Sequence, residues 1–456
     1  MAKKLLFLAL YLLFLCSESL YHTRALRAEA VNFNPDIAIS SEAATLFNLD
    51  TDTAVYQKNS EKKMFPASTT KIMTYIIVVE STSDLENTKI EVKSSIIDML
   101  KGTDSSLSGL KAGEVYTAKK LLEGMMIASG NDAALVLASH FGRNSPDISD
   151  EDSIKIFVDR MNEKAREIGC LNTNFTNPHG LHNNDHFTTS DDLAKIAKYG
   201  RKVPGLELIM SQTQVYMKEG DKIPATTTSV IIDKDRGGDK YYSYAKAAKT
   251  GFTDEAGRCI VLIAERSGQR YICVVLGDFS KEGCHIKDAK TLCDWAFENL
   301  LLKLIIDKKK LIGKVKLNYA WKQDSLPLVA SDNVYCLLPK NVDVSSVSIK
   351  LNQPESVNAP VAAGDKICTA TLSYANQELG VVTVVAMNTV EENHVIHASY
   401  VAKDILTSIW LKISVISTVL FFCGINLKTM LDRKREIKRN NLQKYKKYKD
   451  QQSHRR

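Results

Sequence analysis

The sequence predicts an α+β protein, with a large mixed domain over residues 31–304, a small all-β domain over 305–398 and an apolar helix over 399–427. Three observations carry this. Helical and strand-like patterns alternate up to about residue 300. Short β-like runs take over between Leu311 and Asn388. A 23-residue run from Ile405 to Leu427 carries a single charge, Lys412. At 456 residues the chain is also too long for one ordinary core.

The first 30 residues read as an export signal. Lys3 and Lys4 form a basic start, and Leu5 to Leu15 form an apolar core too short to span a bilayer. Small residues at Ser17 and Ser19, or at Ala28 and Ala30, offer cleavage sites. Leu15 before Cys16 argues against lipoprotein processing.

Within the large domain, Lys71 to Glu80 and Leu121 to His140 read as helices, Cys259 to Ala264 and Tyr271 to Leu276 as strands, and Ile286 to Leu302 as a closing helix. In the small domain, Val315 to Leu317, Val334 to Leu338, Val347 to Leu351, Ile367 to Leu372 and Val381 to Ala386 read as strands. Turn residues such as Pro339, Gly364, Asn376 and Gly380 separate them.

The run Ile405 to Leu427, as a helix, would be roughly 34 Å long, enough for a hydrocarbon core of about 30 Å. A helix lying on the membrane surface is the alternative, because Thr407, Ser408, Lys412 and Ser414 make its first half partly amphipathic. The tail 428–456 holds 12 Lys/Arg against 3 Asp/Glu, so the rest of the chain sums to −2 of the total +7. Positive residues stay on the cytoplasmic side, which favours a span with the tail inside and the folded part outside. A basic tail on a near-neutral folded part argues against nucleic acid as partner.

Seven cysteines remain outside the two apolar termini, with no CxxC pair, so no metal or redox cofactor is expected. They read as small buried hydrophobes.

Three short motifs carry the chemistry. In Ser68-Thr69-Thr70-Lys71 the serine and lysine lie one helical turn apart. A serine hydroxyl needs a base, and a partly desolvated lysine can be neutral enough to serve. Pairs with the same spacing occur at Ser60/Lys63, Ser108/Lys111 and Ser243/Lys246. Only Ser68 has Pro66 before it and an unbroken apolar segment after it. In Ser129-Gly130-Asn131 a second hydroxyl can relay a proton and an amide can grip a peptide bond. Equally, these residue types favour turns and caps, as at Ser331-Asp332-Asn333. In Lys249-Thr250-Gly251, before a strand, Lys and Thr can bind a carboxylate and Gly admits a substrate backbone.

The ordered set resembles the penicillin-binding protein and serine β-lactamase superfamily. Longer stretches resemble the D-alanyl-D-alanine carboxypeptidase family of the penicillin-binding protein 5 type. These are Phe65 to Thr74, Asn177-Pro178-His179-Gly180-Leu181, His186 to Thr189 with Asp192-Leu193, and Lys249 to Gly257. Residues 305–395 resemble that family's small β domain more loosely.

The resemblance implies a β-lactamase/transpeptidase-like fold, an antiparallel sheet flanked by helices. It implies removal of the terminal D-alanine from peptidoglycan stem pentapeptides through an acyl-enzyme on Ser68, and acylation by β-lactams. Lys71 is then the base, Ser129 and Asn131 the proton path and substrate grip, and Lys249 and Thr250 the carboxylate site. Gly251 lies beside them, and the amides of Ser68 and Phe252 form the oxyanion hole. The family's usual Gly before the Lys-Thr-Gly motif is Ala247 here, which questions the local loop shape. His179 and His186 belong to a structural loop in this reading.

A β-lactamase is a rival, but it needs a deacylating Glu, and Glu167 stands one residue off the expected spacing to Leu171-Asn172. A non-catalytic envelope module that binds peptidoglycan or β-lactam is another. It has no use for an intact nucleophile and base.

Overall fold

The computed structural model describes residues 35–280 and 283–453. The export-signal reading of 1–30 lies outside the described residues. The chain forms two compact units. One runs to Ile306 and takes in Asn333–Lys350 and Thr371–Val381. The other comprises Asp307–Asp332, Leu351–Ala370 and the chain from Val382.

The first unit is built on a five-stranded antiparallel sheet. Its strands are β1 (Ala43–Asn48), β2 (Thr53–Lys58), β3 (Ala245–Thr253), β4 (Gly257–Arg266) and β5 (Gln269–Asp278), in the order β2-β1-β5-β4-β3. Both faces are covered, so β4 reads as a continuous apolar run instead of alternating. Its Cys259, Val261 and Ile263 join the core of helix α1 (Lys71–Ser81), α2 (Ala118–Ile127) and α3 (Asn131–Gly142). Ile260, Leu262 and Ala264 point the other way, onto helix α4 (His285–Asn299). The strand order leaves β3 at one edge of the sheet.

The expected closing helix stops early. Leu300, Leu301 and Leu302 start a strand, β6 (Leu300–Ile306), which pairs with β7 (Val334–Pro339). The run Leu300 to Ile306 is dense in β-compatible aliphatics, and pairing with β7 supplies the hydrogen bonds that decide between the two states. Strand Ser325–Ala330 was not expected either. It contains Pro327, which usually argues against a strand interior.

The β-rich part holds a six-stranded sheet that includes Gly313–Asn318, Ser325–Ala330, Lys366–Tyr374 and Gln377–Ala386. Val315, Leu317, Leu326, Leu328, Ala370 and Val384 form its core. Ser331-Asp332-Asn333 lies in an exposed bend, as a turn reading requires.

One helix does not run from Ile405 to Leu427. Helix α5 (His394–Thr407) ends at Ser408, and α6 (Ile409–Ser453) starts there. Ser408 Oγ accepts from Trp410 N at 3.2 Å, so this serine caps a new helix instead of continuing the old one. The stretch Ile409–Lys447 is long and apolar enough to cross a membrane, with a mean hydropathy of 1.7 in its most apolar window and none of that window buried.

Candidate active site

Ser68 sits in a 3-10 turn, Ala67–Thr70, capped by Pro66 and running directly into α1. Lys71, the first residue of α1, is fully buried. Its Nζ lies 2.9 Å from Ser68 Oγ, 2.6 Å from Asn131 Oδ1 and 2.8 Å from the backbone oxygen of His179. Two of these neighbours are carbonyl oxygens, which can only accept. A neutral amine has two N–H bonds to give them and one lone pair left, aimed at the serine hydroxyl. Burial, and next the nearby Lys249, hold the Lys71 pKa well below its ordinary value.

Asn131 is itself held. Its Nδ2 donates to Ser105 Oγ at 3.0 Å and its backbone N to Ser106 O at 2.8 Å. The next residue, Asp132, organises the same loop by accepting from the amides of Ser108, Gly109 and Leu110 at 2.9, 3.0 and 3.1 Å. A carboxylate at a helix start, accepting several amides, is a strong local clamp.

The single helix expected over Leu121 to His140 is broken at this point. α2 ends at Ile127, and α3 begins at Asn131. Ser129 adopts φ +58°, a left-handed conformation that a helix interior does not allow. A Cβ on Gly130 would come within 2.6 Å of Ser108 Oγ and 2.7 Å of Asp132 Oδ1, so a larger residue there would have to displace these side chains. The apolar periodicity runs through the break because both helices bury the same face, which is why it was not visible in the pattern.

The break turns Ser129 toward the edge strand. Its Oγ is 2.9 Å from Lys249 Nζ, which also donates to Thr250 O at 2.8 Å. Lys249 is fully buried, and burial pulls its pKa down to about 7. Thr250 Oγ1 is 3.1 Å from Thr228 Oγ1 and 3.4 Å from Ser229 Oγ. Gly251 faces the Ser68 turn so closely that a Cβ would lie 2.7 Å from Ser68 N. Ala247, where the family has Gly, is a buried residue beside an irregularity in the β3–β4 register at Ala245 to Ala247.

Ser68, Ser129, Thr250, Gly251 and Phe252 line one cleft of about 550 Å³, and Lys71, Asn131 and Lys249 reach it from beneath through the contacts above. All eight residues singled out from the sequence therefore meet. In the competing Ser-x-x-Lys pairs, Lys63, Lys111 and Lys246 are exposed, and Ser108 is bound to Asp132.

The two histidines are not part of the cleft lining. His186 Nε2 is 2.8 Å from Thr70 Oγ1, and its Nδ1 accepts from Thr176 N at 3.0 Å. Burial lowers the pKa of both rings, that of His186 to about 3, so they are neutral struts. The sequence did not reveal that the His179 backbone oxygen touches Lys71. It also missed Ser105, Thr228, Ser229 and Arg258, which reach the site from loops and strands with no spacing signal of their own.

A Ser–Lys pair beside a second Ser–Lys pair, at the edge of an antiparallel sheet, is an arrangement suited to acyl transfer. Residues 29–280 match the D-alanyl-D-alanine carboxypeptidase family, and residues 302–392 match the C-terminal domain of penicillin-binding protein 5. The chain belongs to the D-alanyl-D-alanine carboxypeptidase family. It is 29% identical over 346 residues to the D-alanyl-D-alanine carboxypeptidase DacF of Bacillus subtilis, covering 75% of this chain and 84% of that one. It is 27% identical over 361 residues to the carboxypeptidase DacA of Haemophilus influenzae, covering 78% of this chain and 86% of the other. Among solved structures, penicillin-binding protein 5 of Haemophilus influenzae superimposes with a TM-score of 0.64 at 26% identity, over 78% of this chain and 99% of that one.

Proposed function

We propose that this protein is a serine-type D-Ala-D-Ala carboxypeptidase that removes the terminal D-alanine from peptidoglycan stem pentapeptides and is acylated by β-lactams. The observation that carries the reading is the Lys71 amine, fixed by two carbonyl oxygens with its remaining valence on Ser68 Oγ.

In the forward direction Ser68 Oγ attacks the carbonyl carbon of the penultimate D-alanine while its proton passes to Lys71 Nζ. The amides of Ser68 and Phe252 receive the oxyanion, the role for which preorganised N–H donors are most effective. Collapse of the tetrahedral intermediate breaks the C–N bond. The departing amine takes up the proton that Lys71 accepted from Ser68, relayed by Ser129 Oγ, which Lys249 holds in place. Asn131 positions both Lys71 and the substrate's peptide bond. Thr250, at the open edge of β3, meets the substrate's carboxylate end, with the charge of Lys249 behind it, and Gly251 leaves room for its backbone. Water then hydrolyses the Ser68 ester by the same groups in reverse.

The neighbouring chemistries are less well supported. A β-lactamase needs a deacylating carboxylate, and Glu167 is instead an exposed partner of Lys164 at 2.7 Å. Release of D-alanine from a pentapeptide by the purified protein, with none of it from an L-Ala-terminated control, tests the reading.

The cell membrane is the location that fits. α6 is the anchor, the folded part lies on the extracytoplasmic side and the basic tail is cytoplasmic. From Ile409 to Leu427 the helix is roughly 28 Å long, close to the hydrocarbon thickness. Lys412, near its start, can extend its stem toward the outer headgroups.

A further inference from the structure

We infer that Asp132 is a positioning residue for acyl transfer. Its carboxylate holds residues 104–110, one wall of the cleft, against Asn131, and through Asn131 it fixes the Lys71 amine beside Ser68. The inference rests on the acyl-transfer chemistry proposed above and adds to it a residue with no direct contact to Ser68.

The wall has little of its own to hold it. Residues 104–111 form no helix or strand. Leu100 and Leu110 sit in the core, but Leu107, the large apolar side chain between them, is exposed. Burial of apolar surface therefore does little to order the segment. Yet Asp104, Ser105 and Ser106 line the cleft. Ser105 Oγ accepts from Asn131 Nδ2 at 3.0 Å, and Ser106 O accepts from Asn131 N at 2.8 Å. With its amide nitrogen engaged on that side, Asn131 presents Oδ1 to Lys71 Nζ at 2.6 Å, and the amine stands 2.9 Å from Ser68 Oγ.

Asp132 supplies the order that the core does not. It is 2% exposed and, among the described residues, forms no ion pair. A buried carboxylate without a cation needs several donors, and here they come from two elements. From the wall, Ser108 Oγ donates at 2.7 Å, and the amides of Ser108, Gly109 and Leu110 donate at 2.9, 3.0 and 3.1 Å. From the first turn of α3, Ala133 N donates at 2.9 Å. Three consecutive amides converging on one anion make a cradle that the carboxylate fills. Both oxygens are needed. Oδ1 takes Ser108 N and Ala133 N, and Oδ2 takes Gly109 N and Leu110 N. Backbone amides only donate, so an asparagine would turn its NH2 against one of these sets in either orientation. Asp132→Asn thus keeps the volume and breaks the clamp.

The experiment measures, on the full-length detergent-solubilised protein, the rate constant of acylation by fluorescent penicillin at one fixed concentration. The rate constant does not depend on the fraction of molecules folded, whereas the labelling endpoint does, so loss of position and loss of fold are read separately. Asp132→Asn should lower the rate constant by on the order of a hundredfold, the effect of a misplacement of about an ångström. Ser105→Ala, which cuts the link from wall to Asn131 and leaves the clamp intact, should lower it by about tenfold. The double variant should be no slower than Asp132→Asn alone, since both act through one contact. In the wild type, hydrogen exchange read on a peptide spanning 104–111 should show protected amides despite the lack of regular structure. Absence of that protection overturns the inference, and this measurement needs no variant to fold. An unchanged rate constant in either single variant overturns it, as does a fully multiplicative loss in the double variant. A wild type that penicillin does not acylate overturns the acyl-transfer reading itself.

Discussion

Asn131 Oδ1 accepts a hydrogen bond from Lys71 Nζ at 2.6 Å, and this contact holds the amine in place 2.9 Å from Ser68 Oγ. Asn131 opens a helix that begins only because the chain breaks at Ser129. The contacts of Asn131 with Lys71 and of Ser129 with Lys249 are therefore set by the same three residues, Ser129 to Asn131.

Ser68→Ala should abolish both D-alanine release and covalent labelling by fluorescent penicillin, because one hydroxyl serves both reactions. Labelling that persists in this variant, at Ser60 or Ser108 for instance, means a different serine is the nucleophile.

Lys71→Arg should be nearly as damaging as Lys71→Ala. Arginine keeps its proton and cannot take one from Ser68. It is also too large for a site closed by Asn131 Oδ1 and His179 O. Near-normal acylation rates in the Arg variant would show that Lys71 acts only as a fixed charge.

Stability should rise with pH above neutrality. In the unfolded chain Lys249 holds its proton up to its ordinary value of 10.5, whereas in the folded chain burial lowers that to about 7. Between the two the unfolded state binds more protons, so ΔG of unfolding increases with pH there, and below about 7 the full penalty of a buried charge is present. The Lys71 shift has the same sign. Guanidinium midpoints at pH 6.5 and 9 should differ in the wild type, and the difference should shrink in Lys249→Met. An unchanged difference assigns the pH dependence to other groups.

Gly180→Ala should be far worse than Gly169→Ala. Both glycines have positive φ, +90° and +79°, so both alanines carry backbone strain. Only at 180 would the new Cβ also meet a wall, 1.9 Å from Ala67 O, next to Ser68. Displacing the Ser68 turn by even an ångström should slow penicillin acylation by on the order of a hundredfold. Equal acylation rates for the two variants would show that the Asn177 to Leu181 loop does not position Ser68.

Cysteines placed in the tail, at Asn440 for example, should resist a membrane-impermeant thiol reagent on intact cells and react after lysis. Efficient labelling without lysis rules out the spanning arrangement and leaves a helix lying on the outer surface.

Much of the site was legible because acyl transfer needs particular side chains, and Ser68, Lys71, Ser129, Asn131 and the Lys249 motif follow one another in the order that the family resemblance implies. What escaped was backbone and loop geometry. The carbonyl of His179 has no side-chain signature. The break between α2 and α3 is masked because Leu121, Leu122, Met125, Leu135 and Val136 bury on a common core. Leu300 to Leu302 were read as helix because an aliphatic run does not declare its period, and pairing with β7 decided it. Arg258 carried no motif at all, and only the strand register brought it beside Phe252.

The left-handed backbone at Ser129 has an evolutionary consequence. A serine held at φ +58° costs the fold on the order of 1–2 kcal/mol that a glycine would not. Selection for thermal robustness alone would therefore drift toward glycine at this position and discard the hydroxyl. Selection for turnover pulls the other way. Serine at this position therefore carries a conformational cost, and what it adds over glycine is the hydroxyl that stands 2.9 Å from Lys249 Nζ.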